Sequence, residues 1–147
     1  MAAIIQSFSL CGIRLGFAIA DEKLIEGMTK IKDSYNVNRL AIVAGVAALD
    51  DIETMRANAE KIRRTRARLT AALESRGWFV YPSQSNFIFT RVPPPLKARK
   101  IYKELKRRKI LVRYFDAPGL DDGLRISIGS DREISALLRE INRISPA

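Results

Sequence analysis

The sequence predicts an α/β fold in which helices pack on one small sheet, and three observations predict it. Four short runs, residues 78–81, 86–92, 109–115 and 124–128, are apolar or alternate between apolar and polar as strands do. Between and around them lie stretches with apolar residues at helical spacing. The chain closes on a further amphipathic stretch opened by a capping box, Ser130 with Glu133. At 147 residues and 47% hydrophobic content, such layers can bury a core.

Taken in order, Ser7 to Gly12 is a loop feeding an apolar run, Ile13 to Ala20, that reads as a buried strand. One guanidinium, Arg14, interrupts it. A buried arginine is costly unless it meets an anion, so either an acidic neighbour or a bound phosphate or carboxylate is expected against it. Asp21 is placed to cap a helix running to about Lys32, with Leu24, Ile25, Met28 and Ile31 on one side. Asp33 to Asn36 breaks it, and Asn36 or Asn38 caps the next. Val37 to Leu49 is almost wholly apolar, which predicts burial on nearly all sides and hence a covering surface, from a further domain or a second subunit.

A long polar helix is expected from Asp51 to about Arg76, with acidic residues at its start, Arg68 to Arg76 near its end, and Gly77 at the C′ position. Ile52, Met55, Ala59, Ile62, Leu69 and Leu73 form its core stripe. Trp78 to Tyr81 is a short strand, followed by a turn at Pro82 to Ser85. Asn86 to Val92 is a second strand, expected to be covered on both faces, with its aromatic residues in the core. Pro93 to Pro95 is a stiff connector. Leu96 to Arg108 follows as an amphipathic helix, Lys109 to Phe115 as a third strand, and Asp116 to Gly123 as a turn-rich loop. In the fourth strand, Leu124 to Ile128, the alternation puts Leu124, Ile126 and Ile128 on one side and Arg125 and Ser127 on the other. An arginine facing away from the core on a strand flanked by glycines can present its planar fork to a cleft, or simply to solvent. The last helix carries Ile134, Leu137, Leu138, Ile141 and Ile144 inward.

Composition narrows the function classes. The formal charge is +10, from 26 basic and 16 acidic side chains. The basic residues concentrate in 61–68 and 97–109, stretches that also read as solvated helix faces. They lack interleaved aromatics, and no nucleic-acid-binding motif is present. With no histidine and one cysteine, Cys11, a typical zinc site and an internal disulfide are both excluded, and a reducing cytosol fits. No carboxylate cluster is patterned for magnesium or calcium. The apolar N-terminal residues lack a preceding basic segment and are interrupted at Arg14, so neither a signal peptide nor a membrane span is expected.

The segment Ser7-Phe-Ser-Leu-Cys-Gly-Ile-Arg-Leu-Gly16 resembles the one that follows the cofactor lysine in fold-type I pyridoxal-phosphate aminotransferases, most closely the histidinol-phosphate aminotransferases. Tyr35-Asn-Val-Asn-Arg39 resembles the family's loop between large-domain and small-domain helices, and Val80 to Val92 is close to the family's wording there. The likeness runs collinearly over about residues 7 to 145. It implies a cytoplasmic, pyridoxal-phosphate-dependent amino-transfer enzyme of histidine biosynthesis, working as a homodimer on a small anionic amino acid. It also implies that residues 1–50 are a remnant of the large cofactor-binding domain, with its last strand and helices. Residues 51–147 are then the C-terminal small domain with the long connecting helix.

The resemblance assigns Arg14 to the cofactor phosphate, Arg125 to the substrate α-carboxylate and Arg113 to a distal anion. The lysine bonded to the cofactor falls on Gln6, so no catalytic residue is assigned, and the chain alone is expected not to transaminate. The abrupt loss of likeness before Ser7 is expected of a break point. The alternatives are an interaction module that complements a separately encoded large domain, and, less favoured, a basic nucleic-acid-binding domain.

Overall fold

The computed structural model describes residues 8, 10–16 and 18–145. The chain divides into two compact units, Met1–Glu60 and Lys61–Ala147, with one long helix running through the division.

In the first unit, a single 3-10 turn, Cys11–Ile13, is closed by the Ile13 amide donating to the Leu10 carbonyl at 3.0 Å. The segment after it, expected as a strand to Ala20, forms none among its described residues. The reason is pairing: an isolated extended segment leaves its backbone groups without ladder partners. Helix α1, Glu22–Ile31, begins where Asp21 accepts from the Lys23 amide at 3.0 Å. Helix α2, Arg39–Asp50, is capped by Asn38, whose Oδ1 accepts from the Ala41 amide at 2.8 Å, which decides between the two candidate asparagines. Against the expected burial on nearly all sides, only Ala41 in α2 is buried. Leu40 is 80% and Val43 61% exposed, because no described element covers that face.

Helix α3, Ile52–Glu74, starts with Asp51 Oδ1 accepting from the Thr54 amide. It ends with Gly77 at φ +75° while the Trp78 amide donates back to the Leu73 carbonyl at 3.1 Å. Only glycine takes that left-handed backbone without strain from a Cβ.

The second unit is built on a four-stranded antiparallel sheet of order β1-β2-β4-β3. The strands are β1 (Phe79–Val80), β2 (Phe87–Arg91), β3 (Arg113–Tyr114) and β4 (Gly123–Ser127). The third strand is much shorter than the expected 109–115. Lys109 takes a left-handed backbone, φ 62°, and the Ile110 amide closes the end of helix α4 (Ala98–Arg107) on the Leu105 carbonyl. Only two residues are then left to pair with β4.

Helix α5, Asp131–Ile144, carries the expected capping box, with the Ser130 amide donating to Glu133 Oε2 at 2.7 Å. Thr65 Oγ1 donates to Asp131 Oδ1 at 2.9 Å, and Arg68 pairs with the same carboxylate at 2.9 Å, so α3 is tied to the start of α5.

One face of the sheet is core. Ile88, Leu124 and Ile126 lie buried in one cluster with Leu69 and Leu73 of α3, Ile101 and Leu105 of α4, and Ile134 and Ile141 of α5. At about 25 cal/mol per Å² of apolar surface removed from water, these side chains dominate the unit's stability. The other face is open. The expectation that β2 is covered on both faces does not hold: Ile88 and Thr90 are buried, but Phe87 is 37% exposed, and Phe79 of β1 55%. Trp78 is the aromatic of this region that reaches the core. Within this chain the helices cover one side of the sheet, so alternate residues face water on the other. Among the described residues, no helix is long and apolar enough to cross a membrane.

Candidate anion-binding face and its relatives

The open face of the sheet collects arginines and aromatic rings. Alternation along each strand selects them: Arg113 on β3, Arg125 on β4, and Phe87, Phe89 and Arg91 on β2 are all side chains opposite to the buried set. In the ladder, Arg113 stands directly across from Arg125, and Phe89 stands across from Arg125 on the other side. The Arg125 guanidinium carbon lies 5.3 Å from the Phe87 ring centre and 5.9 Å from that of Phe115. Arg113 lies 5.5 Å from the same Phe115 ring. Neighbouring arginines behave differently: Arg91 pairs with Asp122 at 3.1 Å and Arg99 with Asp116 at 3.7 Å. Among the described residues, neither Arg113 nor Arg125 has a carboxylate partner.

Glycines give this face its room. A Cβ on Gly123 would lie 2.3 Å from Cζ of Phe89, so the absence of a side chain there leaves the space that ring occupies. A Cβ on Gly129 would lie 2.7 Å from Glu133 Oε2, so the capping box also closes over a bare backbone. Hydrogen bonds from the Ser130 hydroxyl and then its amide hold the Glu133 carboxyl below its ordinary value. On the covered side, Tyr114 stacks on Tyr102 at 5.8 Å. Its phenol is pushed above the ordinary value, first by desolvation and then by the Asp116 carboxylate.

In the first unit, Arg14 caps the 3-10 turn with a left-handed backbone, φ 59° and ψ 32°, and its side chain is exposed. A non-glycine residue held there costs roughly 1–2 kcal/mol, a cost that structures tolerate mostly at functional positions. Among the described residues it has no hydrogen-bond or ion-pair partner. The neighbouring Leu15 reaches over Gly45, whose Cβ would lie 2.3 Å from Leu15 Cδ2, and an apolar cleft of about 370 Å³ opens beside them in the same unit.

Of the residues singled out in the sequence, Arg113 and Arg125 are brought together. Arg14 belongs to the other unit, and Gln6 lies outside the described residues. Sequence reasoning missed Phe115 and Phe87. The available signal was the i, i+2 spacing of Arg113 and Phe115, which puts both on one face of a strand.

The family model for aminotransferase class I and II matches residues 6–141. A histidinol-phosphate aminotransferase of Microcystis aeruginosa is 43% identical over 139 residues, which is 95% of this chain and 40% of that protein. The solved histidinol-phosphate aminotransferase of Clostridium acetobutylicum has the same fold at a TM-score of 0.85, with 23% identity over 97% of this chain and 44% of that one. The enzyme of Sinorhizobium meliloti, solved in complex with pyridoxal-5'-phosphate, matches at 0.79 and 24% over 95% of this chain and 39% of its own. The chain spans about 40% of the length of the curated relatives it matches. A fold shared with these enzymes, and a family match across most of its residues, mean that the chain belongs to the class I and II aminotransferases, whose cofactor is pyridoxal 5'-phosphate.

Proposed function

We propose that this chain is the C-terminal part of a histidinol-phosphate aminotransferase, exchanging an amino group between glutamate and imidazole-acetol phosphate in the cytosol when the rest of the enzyme is supplied. The observation that carries the reading is the side-by-side pair Arg113 and Arg125, exposed on one face with no carboxylate partner among the described residues. Two forks on adjacent strands suit a substrate with two anionic groups, and both glutamate and a phosphorylated amino acid have them.

The residues present fit one part of the cofactor. Arg14 is exposed, unpaired among the described residues and held in a strained backbone, as suits a grip on phosphate oxygens. Bound pyridoxal phosphate supplies the electron sink that labilises the substrate's α-proton. Here Arg125 binds and orients the α-carboxylate, and Arg113 takes the distal anion. The residue in the lysine position, Gln6, does not fit: an amide neither bonds covalently to the cofactor nor accepts a proton near neutral pH. The chain by itself is therefore expected to be inactive.

The test has two arms. The purified chain given pyridoxal phosphate and glutamate is expected to show no glutamate-dependent change in cofactor absorbance. Joined in frame behind the N-terminal part of the Microcystis relative, lysine included, it is expected to transaminate, and Arg125→Ala in that hybrid to lose about tenfold to a hundredfold in kcat/KM, the worth of a charge-assisted hydrogen bond. Activity of the lone chain, or a hybrid indifferent to Arg125→Ala, refutes the reading.

The apolar face of α2, with Leu40 and Val43 exposed, favours a second reading in which the chain docks on a separately made large domain. Transamination that appears on mixing the two polypeptides, without a covalent join, would establish it.

A further inference from the structure

We propose that Phe115 and Phe87 are positioning residues: their ring faces hold the Arg113 and Arg125 guanidiniums in place of carboxylates and leave the N–H donors free for an incoming anion. The inference deepens the function just proposed and rests on it for the identity of that anion. Its physical starting point is the ladder. Like charges directly across an antiparallel pair repel, yet Arg113 and Arg125 are register partners. The usual remedy, a carboxylate between them, is not taken, although Asp116 lies only three residues from Arg113 and pairs with Arg99 instead.

What stands by the two cations is a shared ring. Phe115 follows Arg113 by two residues and lies 5.5 Å from Arg113 and 5.9 Å from Arg125. Phe87, diagonal to Arg125 across β2 and β4, lies 5.3 Å from it. These distances are within the range of cation–π attraction. The two remedies differ in what they leave behind. A carboxylate consumes two N–H donors and must be displaced by any ligand anion, whereas a π face attracts the cation without accepting its hydrogen bonds strongly. Among the described residues, neither guanidinium donates a hydrogen bond, so ten guanidinium N–H groups, about five on each side chain, remain for the ligand.

The full chain, labelled with 15N in arginine, tests this through its Nε–Hε signals, assigned with Arg113→Lys and Arg125→Lys. Phe115→Leu is expected to shift both arginine signals and Phe87→Leu that of Arg125 alone, by removal of ring currents. With inorganic phosphate and with glutamate as probes, loss of one ring is expected to weaken binding about twofold to fivefold. Phe115→Trp is expected to restore it, with unchanged thermal unfolding in all variants. Signals that do not respond to either leucine substitution overturn the proposal, as does equal binding by Phe115→Leu and Phe115→Trp. Wild-type protein that binds neither probe, with arginine signals that still respond to the rings, removes the anion-site reading and upholds the positioning role.

Discussion

Gly123→Ala is the substitution whose cost the structure specifies most closely. The added Cβ would lie 2.3, 2.8 and 3.0 Å from Cζ, Cε1 and Cε2 of Phe89, where carbon atoms rest at about 3.5–4.0 Å. The ring tip must therefore retreat by more than 1 Å, away from a position where it also packs on Tyr81 at 5.7 Å. Overpacking of this kind costs about 1–3 kcal/mol, and the loss of glycine's unfolded-state freedom returns about 0.4–1 kcal/mol. A net destabilisation of about 1–2 kcal/mol is expected in urea unfolding at constant m. Phe89→Leu removes the ring atoms that the new methyl meets, so the double variant should be more stable than the sum of the single changes by about 1 kcal/mol or more. Additivity within about 0.5 kcal/mol would refute the claim that this glycine exists to seat that ring. Because Phe89 is the register partner of Arg125, Gly123→Ala is also expected to shift the Arg125 signal.

Leu105→Ala empties a fully buried position between α4 and the sheet and should cost about 2–5 kcal/mol, read as a lowered urea midpoint. Glu133→Gln tests the capping box. Because the folded carboxyl lies below its ordinary 4.5, its contribution is present above that pH and lost as pH falls through the folded value. The variant should be less stable by about 1 kcal/mol at neutral pH, and the gap should close on acidification, followed by thermal melts across pH. Lys109→Gly relieves the left-handed backbone after α4 and is expected to stabilise by about 0.5–1 kcal/mol, since the strain removed exceeds the entropy glycine adds to the unfolded chain.

Local chemistry was legible in the sequence and long-range pairing was not. Asp21, Asn38, Gly77 and the Ser130–Glu133 box all act within a few residues, so the helix limits they set are visible in the text. The strand order β1-β2-β4-β3 depends on the β2–β4 pairing, whose partners run from Phe87 with Ser127 to Arg91 with Gly123, and no local spacing encodes it. The third strand was overestimated because Ile110, Leu111 and Val112 are apolar, while its length is set by how α4 ends and by what β4 offers to pair with. Apolarity also misplaced Phe87: aromatic residues on alternate strand positions look alike whether the second face is covered or open. As for the site, alternation identified Arg125 as outward-facing, and only the resemblance suggested the role proposed for it. The ladder then placed Arg113 opposite, and only side-chain geometry exposed the ring they share.

The backbone at residue 14 sets two demands against each other. Glycine or asparagine would sit comfortably in that left-handed turn, and arginine does not. A laboratory screen that rewarded heat resistance alone would discard the guanidinium early and enrich replacements that lack the charge proposed here to meet the cofactor phosphate. At that position backbone comfort favours a smaller residue, and the proposed grip on phosphate favours the one present.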